Sequence, residues 1–306
     1  MKTAFLFPGQ GAQYVGMGLD FVDNFAEAKD VFHRAENALD KTLVDIIFKG
    51  PEEELQVTHV TQPAILTVSY AIYTVVQRSG ITPDAVAGLS LGEYTALVSA
   101  GSVSFEEALP LVQKRGIFMQ EAVPQGEGTM AAVMGLSHEK VKDICSAASE
   151  LGLVSPANFN CPGQIVISGN INAVHRAIDL AGKAGAKKTT ELKVSAPFHC
   201  ALLEPVEEKL AVQLDEIMIK KPSVPVVFNV SAGFADQPAL IKENLVQQVS
   251  NPILWEQSII KLVDSGIERF ISFGPGNSLA RLMKRIAPGL KTTSVEKISD
   301  LERLNN

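Results

Sequence analysis

The sequence predicts an α/β protein: a mostly parallel sheet covered by helices on both faces, with a small βαββαβ domain inserted into it. Three observations carry that expectation. Strand-like apolar runs alternate with helical patterns along most of the 306 residues. The run Ala85-Val86-Ala87 leads through Gly88-Leu89-Ser90-Leu91-Gly92 into an apolar helical stretch, the strand-turn-helix setting of a nucleophile elbow. Between about Gly126 and Val194 the order becomes strand, helix, strand, strand, helix, strand, the split arrangement of a ferredoxin-like unit.

The elements follow in chain order. Ala4 to Phe7 reads as a buried strand closed by Pro8-Gly9, and a helical pattern runs from about Met17 to Leu39. A second helix is expected from Pro63 to about Val76, where Ile65, Leu66, Val68 and Ile72 recur at helical spacing. After the elbow comes a long helix from about Phe105 to Ala122. Strands are expected at 130–134, 154–159, 164–168 and 189–194 of the insertion, with helices at 138–151 and 173–184. Beyond it, helices near 202–217, 241–249 and 254–264 alternate with strands at 226–228 and 270–271. A Gly274-Pro275-Gly276 turn, a helix through Arg285 and a strand near Thr292 complete the chain. The large domain is therefore expected to comprise residues 1–125 and 196–306, and the small one 126–195.

Composition narrows the function classes. At 46% hydrophobic residues the chain can bury a large core, yet no segment approaches the ~18 consecutive apolar residues of a membrane span. Met1-Lys2-Thr3 leads straight into a strand-like run rather than a signal peptide, so a soluble, cytoplasmic protein is expected. Cys145, Cys161 and Cys200 are odd in number and lack CxxC spacing, which argues against a disulfide framework and against a metal site. A net charge of −7 gives no reason to expect nucleic acid. Small basic clusters at Lys183/Lys187/Lys188 and Arg281/Lys284/Arg285 are solvated faces or docking points for an anionic group.

Ser90 is the leading candidate nucleophile, and a serine hydroxyl needs a base to take its proton. Of five histidines, His33, His138 and His175 fall in polar helical stretches that read as solvated surface, and His59 falls in a loop. His199 follows Ser195-Ala196-Pro197-Phe198, where the insertion returns to the large domain, and domain junctions are where clefts form. The loop Phe7-Pro8-Gly9-Gln10-Gly11-Ala12-Gln13 lacks the third glycine of a dinucleotide fingerprint; it can present backbone N–H groups to an oxyanion. Arg115 lies among Val112, Phe118 and Met119, and an arginine on such a face calls for a carboxylate or a surface salt bridge. Asn160, Asn229, Gln62 and Gln248 are further candidates for polar lining.

Together these residues resemble the malonyl-CoA:acyl-carrier-protein transacylases of fatty-acid synthesis and the related acyltransferase domains of polyketide synthases. The resemblance rests on FPGQGAQ at 7–13, TQPA at 61–64, GLSLGEY at 88–94, KRGIFMQ at 114–120, NFNCPGQIVISG at 158–169, APFHC at 196–200, QQVSNPILW at 247–255 and GPG at 274–276. It implies an α/β-hydrolase-like core with the ferredoxin-like insertion. It also implies that Ser90 carries the acyl group, that His199 is the base, and that the N–H groups of Gln10 and Leu91 form the oxyanion hole. Arg115 would bind the malonyl carboxylate, the Gln248 carbonyl would orient His199, and Gln62 and Asn160 would line the site. Phe198 is the residue type of malonyl-selective relatives. The implied substrates are malonyl-CoA and the phosphopantetheine thiol of acyl carrier protein, with no cofactor, and a monomer is expected. An acidic carrier would dock on Lys187/Lys188 or Arg281/Arg285.

Two positions depart from the family pattern: Leu89 stands where histidine is usual, and Ser272 to Asn277 replace a Glu-x-Gly-Pro-Gly-Lys segment. The alternatives are a discrete acyltransferase serving a polyketide synthase, a serine thioesterase or esterase using Asp143 or Asp179, and a non-catalytic carrier-protein docking module.

Overall fold

The computed structural model describes residues 1–39, 41–124 and 126–304. Strands β1 (Thr3–Phe7), β2 (Ala85–Gly88), β7 (Val226–Val227), β8 (Arg269–Phe273) and β9 (Lys291–Val295) form an all-parallel sheet in the order β7-β2-β1-β8-β9. Phe5 and Phe7 enter one core with Val86, Ile271 and Phe273, while Ala4 and Leu6 enter another with Ala85, Ala87 and Phe270. Burial on both faces is why these strands read as unbroken apolar runs.

Helices α1 (Leu19–Asn24), α2 (Ala26–Ala38), α3 (Lys41–Lys49), α4 (Glu52–Leu55), α5 (Thr58–Arg78), α6 (Leu91–Ser99) and α7 (Phe105–Glu121) precede the insertion. Several of these differ from expectation. The single helix expected over 17–39 breaks at Phe25, whose extended backbone (φ −131, ψ 123) lets its ring pack on Phe21 while α2 turns to bury Val31 and Phe32. Helix α3 has no counterpart among the expected elements, although its buried Leu43, Val44, Ile46 and Ile47 recur at helical spacing. Helix α5 begins a turn ahead of Pro63 and so includes His59. The Thr61 hydroxyl donates to the carbonyls of Leu55 and Val57, which holds the turn that proline's missing N–H would weaken.

Strands β3 (Gly128–Met134), β4 (Val154–Cys161), β5 (Gln164–Asn170) and β6 (Lys188–Glu191) form a separate antiparallel sheet in the order β4-β5-β3-β6. Helices α8 (His138–Ala148) and α9 (Ile171–Lys183) cover one face through Val141, Ile144, Ala173, Val174 and Ala177, packed on Ala131, Val133, Ile165 and Ile167. The opposite face turns Met130 and Val166 toward the large sheet. Strand β6 stops at Glu191, short of the expected Val194, because Leu192 to Ser195 leave the sheet to line a cleft. The Phe159 N–H donates to the Ile253 carbonyl at 2.9 Å and the Ile253 N–H to Ala157 at 2.8 Å, tying β4 to the later chain.

Helices α10 (Glu204–Asp215), α11 (Pro238–Gln247), α12 (Trp255–Asp264) and α13 (Ser278–Ile286) complete the layers. Helix α11 ends at Gln247, before the expected Val249, so Gln248 becomes its cap and its carbonyl is open to a side-chain donor. Among the described residues no helix is long and apolar enough to cross a membrane.

Candidate active site

Ser90 joins β2 to α6 at φ 53, ψ −108, a backbone that non-glycine residues rarely adopt and that costs about 1–3 kcal/mol. The glycines around it serve close approach. A Cβ on Gly88 would lie 1.9 Å from the backbone of Gly92, and one on Gly92 would lie 2.1 Å from the Phe7 carbonyl oxygen. Larger residues at either place would push the turn away from β1 and lift Ser90 out of position.

His199, also at positive φ (60), places Nε2 2.8 Å from Ser90 Oγ and Nδ1 2.8 Å from the Gln248 carbonyl oxygen. A carbonyl can only accept, so the ring proton sits on Nδ1 and Nε2 turns its lone pair to the serine hydroxyl. Behind the imidazole thus stands a backbone carbonyl and not a carboxylate. Asp143 and Asp179 are exposed on α8 and α9, far from the role a triad would give them. Among the described residues His59 makes no hydrogen bond to Ser90, and His33 and His175 pair with Glu36 and Glu191 on the surface. His138 is not simply solvated: at 27% side-chain exposure it lies 3.0 Å from Glu256 and edge-on to Phe159, across the seam between α8 and α12.

Burial, aided by the nearby Arg115 charge, pushes the His199 pKa from 6.5 down to about 3. The imidazole is therefore a neutral base at pH 7. The native state resists protonation below 6.5 while the unfolded chain does not, so the His199 contribution to stability is lost as pH falls from 6.5 toward 3. In a pH-rate profile the acid limb of Ser90 acylation should have its midpoint well below 6.5; a midpoint at 6.5 or above would contradict this placement of the imidazole.

Arg115, from α7, is 0% exposed. Its Nη1 donates to Gln62 Oε1 at 2.8 Å, and its Nη2 to Gln248 Oε1 at 2.8 Å and to Ser90 Oγ at 3.2 Å. Its Nε has no partner, and among the described residues no carboxylate forms an ion pair with it. Burial lowers its pKa, and the neighbouring Tyr94 and Glu93 offset part of that effect. A buried guanidinium without a counter-ion is costly unless a ligand supplies one.

The backbone donors near Ser90 are mostly occupied. Asn229 Oδ1 takes the Ser90 N–H at 2.7 Å, and the Gly92 and Glu93 N–H groups donate to the carbonyls of Leu89 and Ser90. Leu91 opens α6, where an N–H has no partner within the helix. Gln10 stands at the end of β1, its Oε1 accepting from Gln62 Nε2 at 3.2 Å.

These groups meet at a cleft of about 800 Å³ between the two sheets. Gln10, Leu89, Ser90 and His199 line it from the large sheet's side, and Met130, Asn160 and Val166 from the small sheet. Phe198, 9% exposed, narrows it beside His199. Arg115, Gln62 and Gln248 are fully buried behind Ser90. Asn229, expected as polar lining, instead lies wholly buried beneath the elbow. Of the basic clusters, Arg281 and Arg285 line the cleft, with Arg285 also donating to Gln164 Oε1 and the Pro162 carbonyl, while Lys187 packs over Gly135. Glu93 was not foreseen. The signal available was a lone carboxylate within the otherwise apolar run of α6.

Residues 4–299 match the family described as acyl transferase domain. A malonyl CoA-acyl carrier protein transacylase of Bacillus subtilis (strain 168) is 48% identical over 302 residues, 98% of this chain and 95% of that protein. The crystal structure of an acyl carrier protein S-malonyltransferase from Vibrio cholerae aligns with a TM-score of 0.97 at 42% identity, covering 99% of this chain and 100% of its own. A malonyl-transacylase solved in complex with its type II PKS acyl-carrier protein aligns with a TM-score of 0.97 at 41% identity, over 100% of both chains. Matched along nearly its whole length in sequence and in fold, the chain belongs to the acyl transferase domain family, among the malonyl CoA-acyl carrier protein transacylases.

Proposed function

We propose that the chain transfers a malonyl group from malonyl-CoA to the phosphopantetheine thiol of acyl carrier protein by a ping-pong route through a malonyl ester on Ser90. Ser90 Oγ attacks the thioester carbonyl while His199 Nε2 takes its proton; the C–S bond breaks and that proton leaves with the CoA sulfur. The carrier's thiol then gives its proton to His199 and attacks the ester, and Ser90 leaves with the proton restored. The N–H groups of Leu91 and Gln10 hold the oxyanion at both stages. Gln248 fixes the imidazole tautomer, Gln62 holds Arg115, and Asn160 and Phe198 shape the acyl and pantetheine path.

The observation that carries this reading is Arg115: a buried guanidinium with no carboxylate ion pair among the described residues, which donates to the nucleophile's own oxygen. A malonyl ester on Ser90 brings a carboxylate within reach of it, whereas an ester hydrolase of neutral substrates has no use for such a charge. The same clamp fixes the acyl group against attack by water. The chemistry needs no cofactor. Three buried, unpaired cysteines suit a reducing compartment, and we place the protein in the cytoplasm, acting as a monomer because one chain supplies the whole site. We take 126–195 as the small domain over the cleft, and the described residues of 1–125 and 196–306 as the domain that carries Ser90 and His199.

Turnover of malonyl-CoA with and without holo carrier protein tests the proposal. Rapid CoA release should require the carrier and yield malonyl-carrier, and methylmalonyl-CoA should react far more slowly because Phe198 narrows the cleft. Free malonate released at equal rates in both arms would make the protein a hydrolase, and comparable turnover of the two thioesters would remove the role given to Phe198.

A further inference from the structure

We infer that Asn229, held in place by Glu93, is the positioning residue of the nucleophile, clamping the strained turn on both sides of Leu89; the inference rests on Ser90 being the residue that is acylated. The Asn229 side chain is wholly buried and spans the turn with one amide. Its Oδ1 accepts the Ser90 N–H at 2.7 Å and its Nδ2 donates to the Gly88 carbonyl at 2.7 Å. The Asn229 backbone is fixed in turn. Its N–H donates to Glu93 Oε2 at 2.6 Å, and its carbonyl accepts from the Leu254 N–H at 2.9 Å.

Two consequences follow for Ser90. A non-glycine residue at φ 53 persists only where its surroundings over-determine it, and the amide clamp supplies two of the restraints. Without them the turn can relax, and Oγ moves off the 2.8 Å contact with His199 Nε2. The clamp also occupies the Ser90 N–H, so that amide is not a free donor for an oxyanion. The Asn229 side chain is spent on the Ser90 N–H and the Gly88 carbonyl and the Glu93 carboxyl on the Asn229 N–H, so both act through Ser90 and not on substrate.

Glu93 is completely buried, and burial pushes its carboxyl up to about 8, against the pull of the Asn229 N–H and Arg115. It therefore serves as a neutral oxygen acceptor near pH 7, a role that a glutamine can also fill.

The test is the rate of Ser90 acylation, read by intact mass with malonyl-CoA and, independently of any acyl preference, by labelling with a fluorophosphonate. Asn229→Leu, close in size and without hydrogen bonds, should lower both rates about 100-fold and leave the KM for malonyl-CoA within about threefold. Glu93→Gln should retain most of the rate, and Glu93→Met, which strands the Asn229 N–H, should lose about tenfold or more. Acylation of Asn229→Leu within threefold of the unaltered protein, or a loss confined to KM, would overturn the inference. Should that variant fail to fold, equal losses in the two Glu93 variants would do the same, and loss in Glu93→Met alone would support it. If the unaltered protein accepts the phosphonate but no malonyl group, the acyl assignment fails while the phosphonate rates still judge the clamp.

Discussion

Ser90→Ala should leave the intact protein without any malonyl adduct and cut transfer to the carrier by about 10⁴-fold or more, the scale of loss when a nucleophile is removed. The reason is the ping-pong route itself: with no ester on the enzyme, CoA and carrier would have to meet at one carbonyl in one cleft. The fold should survive, because the Ser90 bond to Asn229 Oδ1 comes from the backbone N–H and alanine retains it. Thermal denaturation checks that point, and mass spectrometry after incubation with malonyl-CoA reads the adduct. A malonyl mass on the folded alanine variant at the stoichiometry of the unaltered protein would move the nucleophile to another residue.

Arg115→Ala should lower malonyl transfer by roughly 100-fold or more and acetyl transfer by less than about tenfold. Charge-assisted, buried hydrogen bonds to a carboxylate are worth several kcal/mol when one partner is removed. An acetyl group has no carboxylate to lose. The smaller, shared loss reflects the bonds Arg115 makes to Gln62, Gln248 and Ser90 Oγ, which brace the site whatever the acyl group. The ratio of malonyl to acetyl turnover is therefore the informative quantity, and an unchanged ratio would show that Arg115 organises the site without recognising the acyl group.

Much of the fold was legible because its signals are local. Strands β1 and β2 are short apolar runs ended by turn residues, α7 was bounded within a residue, and the order of elements in the small sheet followed from period and length. The misses came where tertiary contacts overrode a local preference. The extended Phe25 divided what read as one helix, and α5 grew past Pro63 on the hydrogen bonds of Thr61. In the site, Ser90 and His199 were legible from the elbow and from the place where the insertion ends. The place of Asn229 beneath the turn, where only polar lining was expected of it, and its bond to Glu93 were not, since an asparagine after a short strand and a glutamate in an apolar helix gain a common position only when one meets the other.

The order of motifs along the chain was sufficient by itself to determine the family and to single out Ser90, His199 and an arginine among apolar neighbours as candidates, because each depends on residue type and near spacing. The Gln248 carbonyl behind the imidazole was already implied by the resemblance, and the structure places it 2.8 Å from Nδ1; only the tertiary structure decided that Arg115 is fully buried, without an ion pair among the described residues, and in contact with Ser90 Oγ. It also decided that the Ser90 amide is taken by Asn229 Oδ1. Those facts depend on donors and acceptors brought together from α5, α6, α7, the turn after β7 and the end of α11. Their charges and pKa values are set by burial in that shared interior, which no stretch of local sequence encodes.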